Sequence, residues 1–362
     1  MKSNLTTQPA FHLGYHSTLD GLRGFAVLWV IAFHYELPFG RDGLFGVDIF
    51  FTLSGFLITV LLLEEWNRSE TIHLKNFYMR RILRLYPALL LVLLFFLKSI
   101  PQQYFISTLF YFTNWVKALH LQPDSLFVDH TWSLSVEEQY YFLWPFVLLI
   151  LLKIKLPKKL IISIPLFFGL ASALMRFIVW TTTNDWFRVY MGTDLRADGL
   201  LLGSAFGLMT VYGYLPDYSK HKLFFSLVTF ITVLFGVWLL FESVLTASSV
   251  PTFGILAVSL GTIILISSLV NNQSLILTKI FSFPPLVKIG VISYGLYLWH
   301  APIGVIIDQS TMGWSPTVMT FIKLILTFIA ASSSYYFLEK PILKLKNKFK
   351  PTHDLADPLR GI

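Results

Sequence analysis

The chain has 362 residues, of which 55% are hydrophobic, 17% aromatic and only 13% charged, against about 25% charged in a soluble globular domain. Its formal net charge of +8 comes from basic residues in short loops between apolar runs, which argues for topology determinants and against nucleic-acid binding. There is no cysteine, so disulfides, thiolate zinc sites, iron–sulfur clusters and cysteine nucleophiles are excluded.

Residues 1–17 are polar with scattered aromatics and lack a cleavable signal layout, so the first apolar run is expected to remain as an anchor. Many apolar runs approach the ~20 residues that cross a bilayer core. The fold expected is an all-α integral membrane protein, a bundle of about ten transmembrane helices. The spans lie near 18–37, 44–63, 84–99, 133–152, 160–182, 194–212, 222–241, 250–270, 288–308 and 316–338. The organisation is therefore a cytoplasmic N-terminal segment at 1–17, a membrane domain at 18–338 and a basic cytoplasmic tail at 339–362.

A further apolar stretch at 103–120 is arbitrated by charge. With ten spans, twenty Lys and Arg residues fall inside and four outside, namely Arg41, Lys98, Lys117 and Arg188. An eleventh span would move fourteen of the twenty outside, against the positive-inside rule. The stretch reads as re-entrant or interfacial. Gly199, Gly203 and Gly207, four apart, read as a face for close helix packing. The tail from Lys344 to Lys350 reads as a polybasic membrane-surface anchor.

Ionisable groups inside spans are costly and are functional candidates by default. In the first span Arg23 and His34 are eleven residues apart, about three turns, so they share a face with the cation at one end and the imidazole at the other. Snorkelling of Arg23 to the interface is the competing reading. Asp48, in the second span with Ser54, needs a partner such as Arg23, Arg41 or His34, in a structural ion pair or a site. Arg81 and Arg84 share a helix face at the membrane surface, suited to gripping phosphate or to fixing topology. At the entry to the fourth span Glu137 and Glu138 point different ways, and one must face the bundle. Arg196 and Asp198 lie in the sixth span and His300 in the ninth, where an interhelical hydrogen bond is the bland alternative.

Seven runs, LDGLRGFAVLWVIAFH, FGVDIFFTLSGFLIT, FYMRRILRLYP, HTWSLSVEEQYYFLWP, RADGLLLG, ISYGLYLWHAP and FLEKP, occur in order over about residues 15–345. With them the chain resembles the acyltransferase-3 family of bacterial membrane O-acyltransferases. The resemblance implies a transferase of the bacterial inner membrane with both termini cytoplasmic. The donor would be acyl-CoA, with acetyl-CoA the expected one, and the acceptor a hydroxyl of an envelope glycan or related molecule. Neither a bound cofactor nor a metal is implied.

The resemblance marks His34 as the catalytic base and links Arg23, Arg81 and Arg84 to acyl-CoA. Glu137 matches the WSL-x-x-E-x-Q element, and Tyr297 and His300 the SY-x-LY-x-WH element. Glu137 or Asp48 is then expected to orient the imidazole. Ser54, Arg196, Asp198, Tyr297 and His300 are expected around the substrate or oxyanion. Some members carry an extracytoplasmic hydrolase-like domain, which this chain is expected to lack. The alternative is a transporter or flippase, for which neither an inverted repeat nor a broken-helix pair in matching halves is legible.

Overall fold

The computed structural model describes residues 12–216, 218, 220–241, 248–271, 273–309 and 313–349; Lys2, Lys350 and Arg360 of the charge argument lie outside them. The described residues contain helices and no strand. In chain order the helices are α1 Ser17–His34, α2 Gly46–Ser69, α3 Leu74–Phe95, α4 Gln102–Leu109, α5 Thr113–Ala118 and α6 Trp132–Lys153. They continue as α7 Lys158–Thr183, α8 Trp186–Met191, α9 Thr193–Arg196, α10 Asp198–Tyr212, α11 Lys222–Phe241 and α12 Ile255–Val270. The last are α13 Leu275–Phe281, α14 Pro284–Val291, α15 Ser293–Asp308, α16 Pro316–Ser333 and α17 Lys340–Leu343.

Each of the ten expected spans has a helix. Five segments are long and apolar enough to cross a membrane by themselves: Gly43–Ser69, Lys158–Thr183, Lys222–Phe241, Val250–Val270 and Pro316–Lys346. The ninth span is not one straight helix. It is the pair α14 and α15, bent by 72° at Ile292, a break the hydropathy of 288–308 does not reveal. The other four, α1, α3, α6 and α10, are either short or carry Asp20, Arg23, Arg81, Arg84, Glu137 and Glu138, and most of the candidate site lies on them. The third helix starts ten residues before the expected 84, because its first turns present a cationic face that hydropathy discounts.

α1 runs through the middle of the bundle, with Leu22, Ala26, Val27 and Val30 fully buried. Helix α11 does the opposite and exposes Leu223, Phe224, Leu227, Phe230, Ile231 and Leu234, an apolar surface that suits lipid and not water. The small-residue face of α10 packs on α2 as expected. A Cβ on Gly203 would lie 2.1 Å from the Thr52 carbonyl oxygen, so only glycine allows the two backbones this approach. Between α1 and α14 the same holds at Gly290, where a Cβ would meet the Asp20 carbonyl oxygen at 1.8 Å.

The stretch at 103–120 does not span. It folds as the short helices α4 and α5, broken at Tyr111 by a left-handed φ of 57°.

Candidate active site

The site has two parts at opposite ends of α1. The first is a cavity of about 250 Å³ at the N-terminal end. Its apolar wall comes mainly from α2, with Phe50, Phe51, Leu57 and Leu61, and its polar wall from Arg23, Arg81, Arg84, Ser54 and Glu137. At its mouth the chain segment Leu13–His16 forms a strap. Buried Glu64 fixes the strap by accepting from the Leu13 amide at 2.6 Å and from the His12 ring at 3.0 Å.

The three arginines are not equivalent. Arg81 forms an ion pair with Glu138 at 2.6 Å and lies 3.4 Å over the Tyr141 ring. Tyr141 in turn donates to Glu137 Oε1 at 2.7 Å, and Ser54 donates to the same oxygen. Both glutamates of the fourth span are thus engaged, one toward the cavity and one on Arg81. Arg23 and Arg84 form no ion pair among the described residues, and the Arg23 Nε is buried without a hydrogen-bond partner. Two guanidinium groups therefore face the cavity without a carboxylate in ion-pair contact, with Asp20 on the same wall, and the basic groups outnumber the acidic ones there, an arrangement suited to an anionic ligand.

The second part is a cluster of three imidazoles at the other end of α1. His34 and His300 lie with ring centroids 4.9 Å apart, and His130 lies 5.1 Å from His300. His34 Nδ1 sits 2.9 Å from the Val30 carbonyl oxygen. A carbonyl only accepts, so Nδ1 carries the proton and Nε2 presents a lone pair. His34 is exposed, whereas His300 and His130 are buried. His130, not among the candidates legible in the sequence, sits in the turn Asp129–Thr131 ahead of α6. Its only signal was its place at the head of the HTWSLS run.

Two expectations need correction. Asp48 pairs with Arg196, at 2.7 Å, and not with Arg23, Arg41 or His34. Neither Asp48 nor Glu137 orients His34; the Val30 carbonyl does. Asp198 pairs with Arg176 at 2.7 Å. Arg176, a lone cation in the apolar run 160–182, also donates to the carbonyls of Pro251 and Leu195. Both pairs are fully buried, and aromatic rings of Tyr190, Phe51 and Trp132 surround the Arg196 guanidinium. They clamp α2, α7, α9, α10 and the turn before α12, and neither pair lines the cavity.

Of the residues singled out in the sequence, Arg23, Arg81, Arg84, Ser54, Glu137 and Tyr297 line the cavity, while His34, His300, Asp48, Arg196 and Asp198 do not. Gln139 ties the outer helices together, donating to Asn114 at 2.9 Å and accepting from Thr193 at 2.5 Å.

A family model described as an acyltransferase domain matches residues 16–336 of the chain. A peptidoglycan O-acetyltransferase, OatA, of Listeria monocytogenes is 35% identical over 351 residues, covering 91% of this chain and 56% of that protein. An O-acetyltransferase, OatA, of Staphylococcus aureus is 34% identical over 349 residues, covering 90% of this chain and 57% of that protein. The chain thus spans little more than half the length of the curated relatives it matches. No solved structure matches it.

Proposed function

The chain belongs to the acyltransferase-3 family, and we propose that it is a membrane O-acetyltransferase moving an acetyl group from cytoplasmic acyl-CoA to a hydroxyl of a cell-wall glycan. The setting is the bacterial cytoplasmic membrane, with both chain termini on the cytoplasmic side. The glycan acceptor rests on the names of the relatives. The donor rests on the one observation that carries the reading. A cavity with two guanidinium groups that form no ion pair among the described residues lies at one end of α1, and an imidazole with a bare Nε2 lies at the other.

In this reading Arg23 and Arg84 take the donor phosphates, and Arg81, held by Glu138, shapes the wall through Tyr141. The pantetheine arm extends along the apolar face of α2. His34 Nε2 removes the proton from the acceptor hydroxyl as its oxygen attacks the thioester carbonyl. The new C–O bond forms, the C–S bond breaks, and the thiolate leaves and takes up a proton. The His300 ring packs beside His34, and its buried Nε2 has no hydrogen-bond partner, so it offers a second basic nitrogen near the base. The test is mass spectrometry of envelope glycans from cells with and without the gene. Glycans from cells that carry the gene should be heavier by one acetyl unit at a hydroxyl, and identical spectra would refute the assignment.

One observation favours a transporter, the 72° break between α14 and α15, since broken helices line many transport sites. It is a single break among the helix pairs described, and it places Tyr294 and Tyr297 on the cavity wall. Uptake of a solute into vesicles without consumption of acyl-CoA would select this second reading.

A further inference from the structure

Tyr297 and Ser133 are buried residues of the cavity wall, on α15 and α6. The Tyr297 hydroxyl donates its single proton to the His130 carbonyl at 2.7 Å. Ser133 Oγ has two acceptors in reach, the Tyr297 oxygen at 2.6 Å and the same His130 carbonyl at 3.4 Å, and its proton goes to the nearer tyrosine oxygen. Both hydroxyls are committed. The Tyr297 ring lies 5.4 Å from the His130 ring and 5.4 Å from the His300 ring, and His300 is 4.9 Å from His34. The cavity lies on one side of this pair and the imidazole cluster on the other. His34, His130 and His300 have no part in the cavity wall; the rings of His130 and His300 lie directly behind Tyr297, and His300 stands between Tyr297 and His34.

We propose that the Tyr297–Ser133 hydrogen-bonded pair is an inner gate between the cavity and the imidazole cluster. Closed, it isolates the cavity from the His34 end of α1. Opened, it lets a group held in the cavity reach the imidazole cluster, where His300 adjoins His34. What passes through rests on the acyltransferase reading; that the pair seals the cavity does not. With acyl-CoA bound and no acceptor, a weakened gate admits water to the thioester. The water oxygen bonds to the carbonyl carbon, the C–S bond breaks, and the thiol and a carboxylic acid leave, with one water proton on the thiolate.

The chain has no cysteine, so Ser54→Cys gives a unique thiol in the cavity wall. It is probed in oriented membrane vesicles with a small, membrane-impermeant anionic methanethiosulfonate, which the cavity arginines attract. The thiol should react from the face that carries the strap Leu13–His16 and not from the opposite face. Adding Tyr297→Phe removes two hydrogen bonds and should raise labelling from the opposite face roughly tenfold, and adding Ser133→Ala should raise it less. Labelling of Ser54→Cys alone from both faces overturns the proposal. So does strap-face labelling alone in both double variants. If Tyr297→Phe abolishes labelling from the strap face as well, it has disturbed the cavity, and Ser133→Ala decides. The assay needs neither donor nor acceptor, so a failed gate leaves the acyltransferase reading standing. An inactive protein with a sealed cavity leaves the gate standing.

Discussion

The imidazoles of His34 and His300 meet edge to face with their centroids 4.9 Å apart, one ending α1 and the other in the middle of α15. Each has its Nδ1 against a backbone carbonyl, Val30 at 2.9 Å and Tyr297 at 2.6 Å. Both Nδ1 atoms are therefore protonated, and both Nε2 atoms hold lone pairs, that of His300 buried without a hydrogen-bond partner. Replacing His300 with Gln keeps a polar side chain but removes the second basic nitrogen beside His34. Turnover should fall roughly tenfold, while donor KM stays the same, because His300 is outside the cavity wall. Steady-state kinetics with acetyl-CoA varied at saturating acceptor reads the two parameters separately.

The cavity arginines should separate by kinetics. Arg84→Ala removes a guanidinium with no ion-pair partner, so the fold loses little and donor KM should rise roughly tenfold to a hundredfold, more at low ionic strength. Arg81→Ala leaves Glu138 without its cation and should destabilise the protein by about 1–3 kcal/mol, since the pair is only partly buried. Restored melting temperature in the double variant Arg81→Ala, Glu138→Ala is the expected outcome, read by thermal unfolding in detergent. An Arg81→Ala protein as stable as the parent would show that the ion pair does not hold α3 to α6.

The Arg196–Asp48 pair should behave as a clamp. Asp48→Asn leaves a buried guanidinium without its carboxylate and should cost about 3–5 kcal/mol. Replacing both partners with apolar residues, as in Arg196→Met with Asp48→Leu, should recover most of that stability. Activity per folded molecule should then stay near the parent value. Loss of activity in a stable double variant would return Arg196 to the oxyanion role expected from the sequence.

Helix packing gives a paired test. Gly203→Ala pushes a methyl to 2.1 Å from the Thr52 carbonyl oxygen and should destabilise by about 1–3 kcal/mol. Gly236→Ala, on α11 with nothing within 4 Å, should be neutral or stabilising by up to about 1 kcal/mol. The two melting temperatures, measured in one detergent, check the contrast.

What the sequence made legible were features one helix can encode. Arg23 and His34 do occupy opposite ends of α1, and Arg81 and Arg84 do face one cavity, because both follow from helical period alone. Which helix supplies a partner is a tertiary fact, so the Asp48–Arg196 pair, across α2 and α9, could not be read from either segment. The break at Ile292 was hidden for a similar reason. The run 288–308 is mostly apolar and carries no signal of a break at Ile292, two residues beyond the close approach of Gly290 to the α1 backbone. His130 lies outside any span, where the cost argument for intramembrane charge does not reach, yet folding carries it to His300.

The most direct test is acetyl transfer by the purified protein in proteoliposomes, with labelled acetyl-CoA and a glycan acceptor, comparing the parent with His34→Ala. If His34 Nε2 removes the acceptor proton, His34→Ala should bind acetyl-CoA as before and transfer about 10²–10⁴-fold more slowly. A correctly folded His34→Ala protein that transfers acetyl at the parent rate would contradict the account.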